Sequence, residues 1–243
     1  MSRTLPSLAV AVFATTLAAH AGAQTITFPP ADFPGGNGAT IADGYGATAA
    51  VATTYRVLPG LGNTTPVPGA AVQWWNTGYS TLGGVAYGGS SAAGSVAEVG
   101  LQRLGSGTIT LTDFDIGSWQ NTTRTAFVRV LGWSDFSTIL SFSAPIGVAA
   151  FDFAGYLTAN GLAAPTRTDG FRIQFTQDAN PATADVEGRG AFDAGIDNIA
   201  FEAGRATDPG QNVVPEPSTY VLLATGLGTL GTIARRRRAT GRG

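Results

Sequence analysis

Phe171-Arg172-Ile173-Gln174-Phe175-Thr176 alternates apolar and polar residues without a break. That is the two-residue period of a strand with one face turned into a core and the other turned away. The same alternation runs through Val51-Ala52-Thr53-Thr54-Tyr55-Arg56-Val57, which puts Val51, Thr53, Tyr55 and Val57 on one face and Thr54 and Arg56 on the other. In Thr108–Ile116 the apolar parity changes part-way: Ile109 and Leu111 share one phase, Phe114 and Ile116 the opposite one. A slip of this kind near Thr112-Asp113 predicts a bulge or bend. Further strand-like runs are Ala70–Trp75, Ser95–Leu104, Thr125–Leu131, Thr138–Phe142, Val148–Phe153 and Ile196–Glu202. Between them lie clusters of Gly, Pro, Asn and Asp, such as Pro34-Gly35-Gly36-Asn37-Gly38, Pro59-Gly60-Leu61-Gly62-Asn63 and Asp178-Ala179-Asn180-Pro181. No window carries an amphipathic helix. About ten short strands separated by turns predict an all-β, antiparallel two-sheet sandwich of jelly-roll type. The parities place Phe171, Ile173, Phe175, Ile199 and Phe201 in one core.

Composition supports a folded body and removes several chemistries. Hydrophobic residues make up 44% of the 243-residue chain and charged residues 12%, enough apolar surface to offset the entropy of ordering a single domain. There is no Cys, and the one His is His20. A body beginning at residue 24 therefore has no thiolate and no imidazole, which excludes His-based triads, Cys nucleophiles and the usual zinc or copper ligand sets. Every basic residue is Arg, so a Schiff-base or P-loop lysine is missing too. Residues 24 to 214 hold eight Arg against fifteen Asp plus Glu, a formal charge of −7, which repels nucleic acid.

The two ends of the chain read as sorting signals. Arg3 is followed by the apolar run Leu8–Ala19 and the small residues Ala21-Gly22-Ala23, the layout of a signal peptide over residues 1–23. Signal peptidase is expected to cut before Gln24, with Ala19-His20-Ala21 offering a second small-x-small site. At the other end Val214-Pro215-Glu216-Pro217-Ser218 precedes the apolar run Tyr220–Ala234 and then Arg235-Arg236-Arg237-Arg238. As a helix, Tyr220–Ala234 would extend about 22 Å, short of the roughly 30 Å hydrocarbon core. Gly226, Gly228 and Gly231 would leave notches for another membrane helix. The four arginines act as a stop and stay on the cytoplasmic side, which puts the body outside the inner membrane. Pro215 and Pro217 keep the stretch before the span extended.

This tail resembles the C-terminal signal of PEP-CTERM proteins, which are exported bacterial proteins. The resemblance implies an exosortase-type membrane enzyme as partner, processing near Pro215, Glu216 and Pro217, a transient stay in the inner membrane, and delivery to the cell surface or extracellular polymer. The expected organisation is signal peptide 1–23, β-sandwich 24–203, linker 204–213 and sorting signal 214–238, with a membrane segment at 219–234 and the arginine cluster at 235–238. The body is similar to the extracellular domain of many such proteins at Ile41-Ala42-Asp43-Gly44-Tyr45-Gly46, at Val85–Leu104 and at Gly195-Ile196-Asp197-Asn198-Ile199-Ala200-Phe201. That domain is itself similar to galactose-binding-like and carbohydrate-binding sandwiches. The resemblance implies a fold and a role in exopolysaccharide or biofilm, and it carries over no catalytic residue.

Candidate sites follow from chemistry. A saccharide stacks on exposed aromatic rings and needs amides, carboxylates or Arg around its hydroxyls. Trp74 and Trp75 are adjacent, so in a strand they face opposite ways. At most one is in the core, and the other, with Tyr79 or Trp119, is a candidate sugar platform. Asp185, Glu187, Asp193 and Asp197 cluster before the last strand, and some jelly-roll modules similar to this one hold a structural Ca²⁺ between first and last strands. Oxygen ligands suit Ca²⁺, but EF-hand spacing is absent and an Asx-type turn explains the same residues. Asp193 and Asp197 are the residues through which Ca²⁺ would act, although no cofactor is expected. Asp197 shares the parity of Ile199 and Phe201, so it is expected to point inward and to need a metal, an Arg or backbone N–H groups. Catalysis by paired carboxylates could use Glu98 with one of several Asp residues. Nothing in the sequence selects a pair, and the body is expected not to be an enzyme.

Overall fold

The computed structural model describes residues 22–88, 96–177 and 194–204. The signal peptide expected over residues 1–23 falls almost wholly outside them. So do Asp185, Glu187, Asp193, the linker and the whole sorting signal with Pro215, Glu216, Pro217 and Arg235–Arg238. The chain divides into two units, Met1–Ala206 and Thr207–Gly243, and the described residues all belong to the first. Among the described residues no helix is long and apolar enough to cross a membrane.

Among the described residues twelve strands form, named here in chain order: β1 (Ala23–Ile26), β2 (Val51–Leu58), β3 (Gln73–Trp75), β4 (Val85–Tyr87), β5 (Val96–Arg103), β6 (Thr108–Ser118), β7 (Arg124–Gly132), β8 (Thr138–Ile146), β9 (Phe151–Asp152), β10 (Thr166–Arg167), β11 (Gly170–Gln177) and β12 (Ala194–Gly204). They make two antiparallel sheets. The first has the order β10-β6-β12-β4-β3, with β1 also paired to β12 and β9 to β6; the second has the order β2-β5-β11-β7-β8. The chain passes repeatedly from one sheet to the other, as at β4/β5, β5/β6, β6/β7, β10/β11 and β11/β12, and β12 lies between β4 and β6 while β11 lies between β5 and β7.

The core between the sheets is the one the alternation predicts. Phe171, Ile173, Phe175, Ile199 and Phe201 are fully buried members of one cluster, and each ring or branched chain contributes about 1.5–3 kcal/mol by leaving water. Val51, Tyr55 and Val57 reach it from β2, and Val99 and Leu101 from β5. The Ile41–Gly46 motif builds one end of this core. Ile41 is buried, Tyr45 stacks on Phe28 at 5.4 Å, and its hydroxyl donates to the Thr27 carbonyl at 2.8 Å.

Two features depart from the expected strands. Val148–Phe153 contributes only two strand residues before the chain turns into helix α1 (Phe153–Ala159). Asp152 caps that helix by accepting the Gly155 N–H, and Phe153 and Leu157, one turn apart, fill the core. Seven residues are too few for helical periodicity to show in a sequence window. Ala70–Trp75 pairs only over Gln73–Trp75, while β1, β4 and β10 are short strands whose apolar pattern is too brief to register.

The parity change in β6 is a bulge, and β12 carries a matching one. Asp197 pairs with Asp115, Ala200 with Asp113 and Phe201 with Leu111. Each strand therefore inserts one extra residue, on opposite sides of the Asp113–Ala200 pair. Asn198 takes the extra position on β12 at φ 52°, a left-handed conformation that Asn tolerates. As a result Ile196 and Ile199, three apart, both face the core, as do Leu111 and Phe114.

Candidate functional site

Three groups of side chains lie outside the main core, and each is set by its place in a sheet. The first contains the sequence-predicted platform. Trp74 is buried at 2% exposure, and its Nε1 donates to the Phe28 carbonyl at 2.8 Å. Trp75 points the other way and is half-buried, as strand geometry requires. There it meets Tyr87 edge-on at 5.7 Å and Trp119 edge-on at 5.0 Å, while Tyr79 packs on Trp119 at 5.2 Å. Tyr79 itself is buried at 2%. The four residues therefore do not form one platform: Trp74 belongs to the core, Tyr79 lies beneath the cluster, and Trp75 and Trp119 supply its half-open rings.

The second group gathers at the paired bulges. Asp115 is the cross-strand partner of Asp152 on one side and of Asp197 on the other, a row of three like charges that opposes folding when all are ionised. Carboxylate oxygens of Asp113, Asp115 and Asp152 lie within 4.8 Å of one another, an oxygen set of the kind Ca²⁺ takes. Each acid also has a partner in the chain. Asp113 Oδ1 accepts the N–H of Ala154 at 2.9 Å and of Phe114 at 2.8 Å, Asp115 Oδ2 accepts from Asn198 Nδ2 at 2.7 Å, and Asp152 Oδ1 accepts from Gly155 N–H at 3.0 Å. Burial raises the carboxyls of Asp113 and Asp115 above the usual range. Asp197 is not in this trio. The bulge removes the parity that aligned it with Ile199, yet it is buried all the same, and its Oδ1 accepts the Phe28 N–H at 3.3 Å. Burial, with the charge of Asp115 adding to it, pushes its carboxyl up to about 6. Of the three partners the sequence allowed for Asp197, a backbone N–H, that of Phe28, meets it.

The third group, on the outer face of the second sheet, was not singled out from sequence. Register lines up Arg56, Glu98, Gln174, Arg129 and Ser141 in one row across all five strands. The adjacent row holds Thr54, Gly100, Arg172 and Leu131. Glu98 is buried at 1% with Arg172 beside it at 7%. Arg172 Nη1 donates to Glu98 Oε1 at 2.8 Å, and Gln174 Nε2 donates to Glu98 Oε2 at 2.8 Å. The Arg172 guanidinium is also held between two rings, 4.2 Å from Trp133 and 4.7 Å from Phe136. Trp133 comes this close because Gly100 leaves room: a β-carbon there would strike both Trp133 and Thr54. At the other end of the face, the turn after β2 is tied to Gln174, whose Oε1 accepts the Gly62 N–H at 2.6 Å and whose Nε2 donates to the Asn63 carbonyl at 2.9 Å. Both Glu98 oxygens are thus engaged by donors of the adjacent strand, in a place closed to solvent. The signal that could have found this face is the polar half of the best alternating strands, Arg56, Arg172 and Gln174; only register shows that they are neighbours.

Comparison with known proteins bears on the tail and lightly on the body. Residues 213–238 match the PEP-CTERM protein-sorting motif. The chain therefore carries the sorting signal that its Pro-Glu-Pro, apolar run and arginine cluster resemble, a signal typical of exported proteins that pass through the membrane to the cell surface and one that implies an exosortase-type processing partner. No curated protein sequence matches the chain. Among solved structures, a chain described as "CBM4 structure and function" aligns with 62% of this chain and 94% of its own length, at 14% identity and a TM-score of 0.26.

Proposed function

We propose that this is an exported cell-envelope or extracellular-matrix protein whose jelly-roll body works by binding, without catalysis and without a required cofactor, in exopolysaccharide. On this reading signal peptidase removes residues 1–23, and Tyr220–Ala234 holds the chain briefly in the inner membrane with Arg235–Arg238 on the cytoplasmic side. The exosortase-type enzyme then cuts near Pro215-Glu216-Pro217. The observation that carries the reading is the sorting motif over residues 213–238. The repeated changes of sheet between consecutive strands, as at β4/β5, β5/β6, β6/β7 and β11/β12, support the jelly-roll assignment. The lack of any His, Cys or Lys beyond His20, and the engagement of Glu98, Asp113, Asp115 and Asp152 by donors of the chain, support a body without acid–base chemistry.

Glu216→Ala, expressed in a host with the sorting enzyme, tests the processing step. The variant is expected to accumulate at full length in the inner membrane, since the motif loses its charged side chain while the apolar run stays intact. Wild-type protein whose intact mass still includes Arg235–Arg238 after export would overturn processing and leave a plain membrane anchor.

A further inference from the structure

The body carries an excess of negative charge, yet the outer face of the β2-β5-β11-β7-β8 sheet carries the opposite sign. Three arginines, Arg56, Arg129 and Arg172, share it with one carboxylate, Glu98. Glu98 spends both oxygens on Arg172 and Gln174, so it leaves Arg56, its direct cross-strand partner, without a counter-ion. The nearby acids Asp135 and Asp169 are held by Arg167, at 3.1 Å and 2.7 Å. Arg103 is bound to the carbonyls of Ala50, Ser106 and Gly204, and Arg124 to that of Thr123. Among the described residues this leaves Arg56 and Arg129 as the arginines with no hydrogen bond or ion pair. Both are half-buried, and both stand in the same registered row.

Two partly exposed guanidinium groups without acceptors in the chain are open to pairing with an anion from solution. They lie three strand spacings apart, about 14 Å, too far for one small anion and suited to a polymer with repeated negative charge. Arg is the side chain whose fixed fork pairs with a carboxylate or sulfate in two parallel hydrogen bonds. Between them Glu98 and Gln174 are buried beneath the turn after β2, and Ser141, exposed just beyond Arg129 in the same row, offers a hydroxyl. At its margins Phe127 and Phe136 are exposed at 38% and 39%, flat faces of the kind a sugar ring stacks on. The row crosses the outer face of the sheet from one edge strand to the other, so a ligand along it meets side chains and not the backbone of an edge strand, which is where an added peptide strand would pair.

We infer that this face binds an anionic polysaccharide, with Arg56 and Arg129 pairing with its carboxylate or sulfate groups. The inference deepens the polysaccharide-binding reading above and rests on it.

The test measures binding of the full-length chain to immobilised polygalacturonate, dextran sulfate and neutral dextran, with polyglutamate as competitor. Retention on polygalacturonate or dextran sulfate and release at about 0.5 M salt are expected. Arg56→Gln and Arg129→Gln should each weaken retention roughly tenfold, the loss of one charge-assisted pair, and Arg129→Lys should recover part of it. Whether sulfate or carboxylate is preferred follows from the two acidic supports. Equal retention on neutral dextran, or a double Gln variant that binds like wild type, overturns the assignment of this face while polysaccharide binding stands. Competition by polyglutamate as strong as by free polygalacturonate overturns the saccharide in favour of acidic peptide. Retention on none of the supports overturns both readings.

Discussion

The two sheets treat charge on their outer sides in opposite ways. In the second sheet the four strands β2, β5, β11 and β7 run in unbroken register, and the buried acid Glu98 is met by Arg172 and Gln174 from the adjacent strand. In the first sheet two bulges break the register, and the carboxylates of Asp152, Asp115 and Asp197 line up with no arginine among their partners. The regular sheet holds a matched ion pair in a covered place, and the irregular one stores like-charge repulsion behind backbone and amide donors. Regularity allows opposite charges to be paired across strands. A bulge instead turns extra N–H groups toward an acid, and those can hold a carboxylate without cancelling its charge.

The largest effect expected from this contrast is at Glu98. Glu98→Ala leaves the Arg172 guanidinium buried and unpaired, and equilibrium unfolding should show a loss of about 3–5 kcal/mol. A loss below about 1 kcal/mol would mean that the ring sandwich of Trp133 and Phe136 alone holds Arg172, and the matched-pair account of this sheet would fail. Next comes Gly100→Ala, which brings a methyl group against Trp133 and Thr54 and is expected to cost about 1–3 kcal/mol. Tryptophan emission should change with it, since Trp133 is displaced from the sheet.

The first sheet is expected to respond to pH. Asp197 has its carboxyl raised from 3.8 to about 6, so the folded chain holds this proton more tightly than the unfolded chain. Its contribution to stability is therefore greatest below about pH 4, declines as pH rises toward 6 and is level above that, a change of the order of 2 kcal/mol. Asp197→Asn should flatten the profile in chelator-containing buffer; an unchanged profile would locate the effect elsewhere in the row. The smallest shift is expected for Asp115→Asn, a gain of roughly 0.2–1 kcal/mol from removing the central charge of the row. A clear loss would show that the bond from Asn198 outweighs the repulsion.

The same contrast marks how far the sequence could be read. Phe171–Thr176 and Val51–Val57 announce their core faces because an unbroken period of two forces every second side chain inward. The slip at Thr112-Asp113 was legible as well, since both of its apolar phases are long enough to see. Its counterpart in β12 was not: Ile196 and Ile199 look like opposite phases unless the inserted Asn198 is known, and so Asp197 was placed by a parity the strand does not keep. Helix α1 escaped because its whole apolar face is Phe153 and Leu157. The charged face of the second sheet shows the general limit. Arg56, Glu98, Gln174 and Arg129 are each visible as outward-facing residues, but their adjacency is a property of register between strands far apart in the chain. Trp74 and Trp75 were separable by alternation alone, whereas the packing of Trp75 against Trp119 depends on where the loop carrying Trp119 comes down.

The pairing of β1 with β12 sets an order of events. Ala23–Ile26 finds its partner in Ile199–Glu202, and β12 is also the strand against which β6 and β4 are assembled. A chain made from its N-terminus thus exposes its first strand, and an open seam in one sheet, until the last stretch before residue 205 has been synthesised. Such long-range closure is slow compared with hairpin formation. A ribosome or translocation channel that still holds residues 194–204 keeps the body unable to complete its fold, and release of that stretch is the step that allows the domain to close.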